Sequence, residues 1–432
     1  MKKILFISLI FTVIYGCNPM KRNKENPFIY VTENGQFIKN GKPYYYIGTN
    51  FWYGAILGSE GEGGNRERLT KELDSLSAIG VENLRILVGA DGVNGIKAKV
   101  EPTLQTAPGV YNDTILAGLD FLLMEMEKRN MSAILFLNNS WEWSGGYSQY
   151  LEWTGHGKAP VPALDGWNTF SEYVKGYQKC DSCKTLFANH VEYILSRTNR
   201  YTNKRYVEDP TIMSWQIGNE PRAFADENKV SFALWISDVA RQIKELDPNH
   251  LVSVGSEGYM GCEGDIQLWE LIHSYPQIDY TTIHIWPYNW GWAKKDDLSG
   301  TLDFSKEQTG IYIEKHRDIA SKYRKPLVIE EFGYPRDDFN FQIGSSIVNR
   351  NEYYTFVFNH VLNNFKDNGI IAGANFWAWG GFAKQNKDHI FWEKGDDYMG
   401  DPAQEEQGLY SVFHSDNTVE IIKDINKQVQ KP

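Results

Sequence analysis

Two glutamates stand where a pair of carboxyls could work together. Glu220 sits in Gly218-Asn219-Glu220-Pro221-Arg222 and Glu331 in Glu330-Glu331-Phe332-Gly333, each at the end of a short apolar run. Breaking a glycosidic acetal takes two such groups. One gives a proton to the departing oxygen, and the other attacks the anomeric carbon or activates a water. Glu330 competes with Glu331 for the second place. Neighbouring residues of a strand point to opposite faces, so alternation admits one of them to a shared pocket and turns the other towards helices or a salt bridge.

For Glu220 and Glu331 to meet, the runs before them must lie side by side. From Tyr44 onward eight apolar runs alternate with helical patterns: 44–50, 81–88, 132–138, 212–218, 251–256, 280–286, 326–331 and 371–377. Several are nearly continuous in Val, Ile, Leu and aromatics, as strands buried on both faces are. Helical periodicity fills the gaps at 65–79, 112–129, 185–200, 230–246, 266–274, 307–323, 350–368 and 418–428. Asn65 and Asn112 stand as caps, and Gly80 as a stop. Eight strand–helix units in order predict an α/β fold, a single (β/α)8 TIM barrel over residues 28–432. A doubly wound sheet is the alternative, but no GxGxxG follows the first run and no Walker loop is present. Phe28–Val31 and Phe37–Ile38 flank Glu33-Asn34-Gly35-Gln36 and predict a small hairpin at the barrel bottom. Long βα insertions are expected at 140–167 and 378–410. Sites in such barrels lie at the strand C-termini, which is where Glu220 and Glu331 fall.

At these residues the sequence resembles glycoside hydrolase family 5 over about residues 40–425. Five features stand in the family's order: Arg85 in Asn83-Leu84-Arg85-Ile86, then Asn219-Glu220, His284, Glu331 and Trp377. The resemblance implies roles. Glu220 is the acid/base, with a raised pKa, and Glu331, directly before Phe-Gly, is the nucleophile of a retaining reaction. Arg85 keeps Glu331 charged, Asn219 bonds the sugar 2-hydroxyl, His284 orients the acid/base or binds sugar, and Trp377 rather than Trp379 is the stacking platform. Gly48-Thr49-Asn50-Phe51-Trp52, Asn138-Asn139-Ser140-Trp141, Asn219-Glu220-Pro221-Arg222 and His284-Ile285-Trp286-Pro287 resemble the endo-β-1,4-mannanase branch. That implies Trp52, Asn139, Trp141, Arg222, Glu257 and Trp286 along the cleft. The expected substrate is mannan, glucomannan or galactomannan, with no cofactor or metal needed. A β-1,4-glucanase on the same scaffold and a non-catalytic glycan-binding lipoprotein are the alternatives.

Composition agrees with a neutral polymer as partner. There are 44 Lys and Arg against 55 Asp and Glu, a net charge of −11, which disfavours nucleic acid. The 14 Trp, 25 Tyr and 22 Phe supply rings suited to sugar faces as well as to a core. Lys2-Lys3, the apolar run Ile4–Tyr15 and Ile14-Tyr15-Gly16-Cys17 read as a lipoprotein signal peptide over residues 1–16, with Cys17 lipidated and 17–27 a tether. The expectation is an exported monomer, held to the bacterial envelope, at the outer membrane, by its lipid alone or else secreted after an ordinary signal peptide. Cys180-Asp181-Ser182-Cys183 allows a local disulfide, half a zinc site or a redox pair. Export favours the disulfide, which leaves Cys262 free unless it takes one of the pair as its own partner.

Overall fold

Each of the eight runs is a strand: β1 (Tyr46–Asn50), β2 (Asn83–Leu87), β3 (Ser132–Phe136), β4 (Ile212–Gln216), β5 (Leu251–Ser253), β6 (Thr281–Ile285), β7 (Leu327–Phe332) and β8 (Ile371–Phe376). The structure is a computed structural model describing residues 26–430, so the signal peptide, Cys17 and most of the tether lie outside the described residues. Every residue of these strands is buried, which is why the runs lack polar alternation. All pair in parallel in the spatial order β5-β4-β3-β2-β1-β8-β7-β6. The seam between β5 and β6 has no regular ladder. It is closed by single bonds, from Asp279 N to Val252 O at 2.9 Å and from His284 N to Glu257 O at 3.1 Å. The sheet is therefore a nearly closed (β/α)8 barrel.

Eight helices surround it: α1 (Arg66–Ala78), α2 (Asp113–Glu127), α3 (Asp181–Leu195), α4 (Lys229–Leu246), α5 (Ile266–Ser274), α6 (Leu302–Tyr323), α7 (Val348–Asp367) and α8 (Thr418–Val429). The Asn65 side chain accepts from Arg68 N at 2.9 Å and starts α1, whose Leu69, Leu73 and Leu76 face the barrel. Asn65→Ala should destabilise the fold by about 1 kcal/mol, read as a lowered thermal midpoint. An unchanged midpoint would show the cap to be redundant. Helix α3 starts at Asp181, four residues before the expected Thr185. Cys180 is its cap, its Sγ accepting from Cys183 N at 3.1 Å, and the two cysteines form a disulfide. Cys262 is free and buried. Helix α6 begins five residues before the expected Glu307, at Leu302.

The two insertions differ in kind. The segment after β3 folds into the helices Gly146–Trp153, Pro162–Asp165 and Trp167–Val174. The segment after β8 is mostly irregular, anchored where Trp379–Gly381 pairs with Val412–Phe413. At the opposite end, Tyr30–Val31 pairs with Phe37–Lys39 and a third short strand, Lys42–Pro43, completes a small sheet. Phe37 rests edge-on against Tyr280, just before β6, at 5.3 Å between ring centres, so this sheet covers the barrel bottom. No helix among the described residues is long and apolar enough to cross a membrane.

Candidate active site

A cleft of about 450 Å³ opens at the C-terminal ends of the strands, lined among others by Glu220, Glu331, Asn219, Trp141 and Trp377. Its floor is a buried polar layer inside the barrel. Arg85 of β2 is at the centre, with no exposed surface. Its Nε donates to Gln216 Oε1 at 2.7 Å, one Nη to Asn50 Oδ1 at 3.0 Å and to Glu331, and the other to Asn219 Oδ1 at 2.8 Å. Its guanidinium stacks over the Phe136 ring at 4.6 Å. One planar fork thus fixes residues from β1, β4 and β7 together.

Strand β7 departs from simple alternation. Opposite it on β6, Ile283 pairs with Ile329 but His284 pairs with Glu331, so Glu330 is an extra residue in the ladder. Such a bulge lets two successive side chains turn to one side. Glu330 therefore points into the barrel beneath Glu331 and not towards the helices. It accepts from Gln216 Nε2 at 2.6 Å and Tyr280 Oη at 3.3 Å, and it lies 3.9 Å from Arg85 Nε. Glu331 lines the cleft, and the bulge overturns the alternation that would turn Glu330 towards the helices.

Glu220 follows β4 with φ +51, a left-handed conformation uncommon for a residue with a Cβ. Its backbone is held on both sides, N–H to Gly255 O at 2.9 Å and carbonyl to Ser140 Oγ at 2.5 Å. Its carboxyl accepts from His284 Nδ1 at 2.7 Å and from Trp141 Nε1 at 2.5 Å. His284 Nδ1 is also 3.4 Å from Glu331 Oε2, so one imidazole spans both acids. Burial would discharge His284, but the Glu331 charge and the Glu220 bond outweigh it and push its pKa up to about 9. Burial likewise pushes Glu331 up to about 7, against the pull of His284 and Arg85. At Glu220 burial acts upward too, but the His284 bond and charge, Arg222 and Trp141 prevail and hold it below its ordinary value. This reverses the expected raised value for Glu220. The cause is the imidazolium that the fold sets directly against it.

The other residues expected at the site separate into cleft and support. Trp377 lines the cleft with an unbonded Nε1, while Trp379 is buried and donates to Glu72 Oε2 at 2.8 Å. Trp286 stands edge-on to Trp377 at 6.0 Å. Arg222 lines the cleft, its Nε donating to Glu257 Oε2 at 2.8 Å and its guanidinium 5.2 Å over the Trp141 ring. Asn139 is buried behind the surface, and its Oδ1 accepts from Asn219 Nδ2 at 3.2 Å. Trp52 does not line the cleft. It is 1% exposed, donates to Gly400 O at 2.8 Å and packs against Trp143 and Tyr398. Its position one residue past Phe51, beyond β1, turns it into the wall that carries the β8 insertion.

Sequence reasoning missed several lining residues, among them Trp167, Trp290, Gln404, Glu405 and Tyr410. Trp290 follows the strand-six motif closely enough to have been suspected. Glu405 is a half-buried acid inside an irregular insertion, and no local pattern marks it. Glu220, His284 and Glu331 place one ligand atom each within 4.8 Å of one another, a donor set that could in principle hold a cation. The charge that both carboxyls place on His284 opposes that use, since a metal takes neutral imidazole.

With barrel, carboxyl pair and aromatic cleft established, comparison with known proteins is direct. A family model described as GH family 5 beta-mannosidase-like matches residues 26–432, and the chain belongs to that family. It is a glycoside hydrolase of the mannosidase and mannanase group. A mannan endo-1,4-beta-mannosidase of Solanum lycopersicum is 29% identical over 87% of this chain and 89% of its own. One from Arabidopsis thaliana is 30% identical over 80% and 76%. A family 5 mannosidase from Rhizomucor miehei, solved with mannosyl-fructose, superposes with a TM-score of 0.86 at 33% identity, covering 94% of this chain and 97% of that one.

Proposed function

We propose that the protein hydrolyses β-1,4-mannosidic bonds of mannan, glucomannan or galactomannan within the chain, retaining anomeric configuration. The mannan reading is supported by the mannan endo-1,4-beta-mannosidases and the family 5 mannosidase that the chain resembles, and the retaining reading is carried by the closeness of the two acids. Their oxygens, with His284 between them, lie within 4.8 Å. Retaining enzymes set their carboxyls about 5 Å apart, whereas inverting ones leave roughly 6.5–9.5 Å for a water. Glu331 attacks the anomeric carbon and forms a glycosyl ester. Glu220 protonates the departing oxygen and then deprotonates the incoming water. The pair holds one proton between two carboxyls. A glycosidic oxygen placed against Glu220 accepts that proton in a hydrogen bond, which favours the protonated form there, while Arg85 favours the charge on Glu331.

Incubation with mannan, cellulose and xylan tests the substrate class, and cleavage of cellulose alone would end the mannan assignment. NMR of the first products tests the stereochemistry. Glu220→Ala should lose roughly 10²–10⁴-fold in kcat on a poor leaving group, and with an activated aryl β-mannoside, whose departure needs no acid, azide should restore turnover as the β-configured glycosyl azide. An α-azide would exchange the two roles. Because the proton on the pair leaves near 7, where Glu331 titrates, kcat/KM should fall as pH rises past about 7. A profile flat to pH 9 would assign the needed proton elsewhere.

The β8 insertion favours a second reading of the cutting mode. Gln404 and Glu405 line the cleft, and Gln404 Oε1 and Glu405 Oε2 are buried without a hydrogen-bond partner. Acceptors so placed suit the free hydroxyls of a chain end, which would make the enzyme release single sugars. End-labelled mannohexaose separates the modes. A ladder of products indicates internal cutting, and mannose released from one end only indicates exo action.

The N-terminal signal supports an exported, monomeric lipoprotein anchored at Cys17. Cys17→Ala should move the protein from the membrane to the soluble fraction, and an unchanged distribution would remove that reading.

A further inference from the structure

One wall of the cleft is not used by the carboxyl pair. Past Trp141 the chain makes a single 3-10 turn, Glu142–Ser144. Glu142 is 1% exposed and yet lines the cleft. Its Oε2 has no hydrogen-bond partner. Leaving a buried polar atom unbonded costs about 1–3 kcal/mol, and more for a charge. The turn cannot relieve this by shifting, because its backbone is committed. Glu142 O accepts from Gly145 N at 2.8 Å and Trp143 O from Val100 N at 2.7 Å. The flanking indoles are committed as well, Trp141 to Glu220 and Trp143 to Trp52 at 5.6 Å. Behind the turn, Ala98 takes a left-handed φ of +66 and directs the chain so that Lys99 is buried. The Lys99 charge attracts that of Glu142 and offsets part of its burial.

We propose that Glu142 is a substrate-binding residue, its carboxyl accepting a hydrogen bond from a hydroxyl of a neutral sugar unit lying along the Glu142–Trp143 wall. The inference rests on the saccharide-cleaving reading of the cleft. The wall suits a neutral sugar and repels a uronate, because Glu257, Glu405 and Glu406 line the same cleft and Arg222 is tied to Glu257. Glu142 touches the chain being cut and takes no part in the bond changes.

The test compares the full-length protein carrying Glu331→Ala with the same protein also carrying Glu142→Gln or Glu142→Ala. Equilibrium binding of mannotetraose should weaken about tenfold or more with Ala. Gln keeps one acceptor oxygen and should fall between. On the otherwise unaltered enzyme, Glu142→Gln should raise KM and leave kcat within about twofold, the pattern of lost uniform binding. Equal affinities across the three proteins overturn the proposal. So does a fall in kcat at constant KM, which would place the effect at the carboxyl pair. If the Glu331→Ala protein binds no manno-oligosaccharide, the mannan reading fails. The three proteins are then compared on whichever of cellotetraose and xylotetraose binds, where equal affinities still overturn the role of Glu142.

Discussion

Glu331→Ala should lower kcat by roughly 10⁴-fold or more, a loss typical of removing the group that forms the covalent intermediate. Azide with an activated aryl β-mannoside should restore part of the turnover and yield the α-configured azide, because the anion enters from the face the carboxylate has vacated. Glu330→Ala is the matched control. Glu330 is buried in the barrel, bonded by Gln216 and Tyr280. Its loss leaves Gln216 and Tyr280 with one acceptor fewer, leaves Arg85 without a nearby charge and opens a void, so it should destabilise the fold by about 2–4 kcal/mol. Its kcat should fall far less than that of Glu331→Ala, since Glu330 reaches the cleft only through Arg85 and His284, at 3.9 and 4.0 Å. Thermal melts and kinetics on the pair separate the cases. A dead Glu330→Ala beside an active Glu331→Ala would exchange the two acids.

This pair also marks the limit of what the sequence discloses. The eight strands were legible because each is buried on both faces, which writes an unbroken apolar run. Glu220 and Glu331 were legible because they close such runs with polar residues. The bulge at Glu330 was not, since it depends on the register of β6 against β7, a relation between segments 46 residues apart in their paired positions Ile283 and Ile329. Local patterns carry no such information. Trp52 was misplaced for a similar reason. A Trp just past a barrel strand can face the cleft or its wall, and the choice is made by Gly400 and Tyr398 in an insertion far along the chain. The helices after β3 were read as loop because glycines and aromatics interrupt their periodicity. The downward shift at Glu220 needed coordinates too, because it arises from His284 and Trp141, brought in by β6 and the β3 insertion.

Arg85 is where the largest combined effect on folding and activity is expected. Its partners Asn50, Gln216 with Asn219, and Glu331 come from β1, β4 with the segment just after it, and β7, and all are buried. Arg85→Ala leaves Glu331 buried without its cation and should destabilise the protein by about 3–5 kcal/mol, as breaking one side of a buried pair does. Arg85→Lys keeps the charge and is the more informative change. A single ammonium cannot reach Gln216, Asn50 and Asn219 while holding Glu331. The Lys variant should therefore fold, with kcat/KM reduced roughly 10²-fold through misplacement of Glu331 and Asn219. The pH profile separates electrostatics from positioning. Arg85 pulls the Glu331 pKa down. Without its full effect the pair keeps its proton to higher pH, so the fall of kcat/KM above about 7 should move upward. If Arg85→Lys lost activity with an unmoved alkaline limb, Arg85 would act by placing Glu331 and not by keeping it ionised. Wild-type kinetics in that variant would mean that the fork does neither, and that Glu331 owes its placement to the β7 bulge alone.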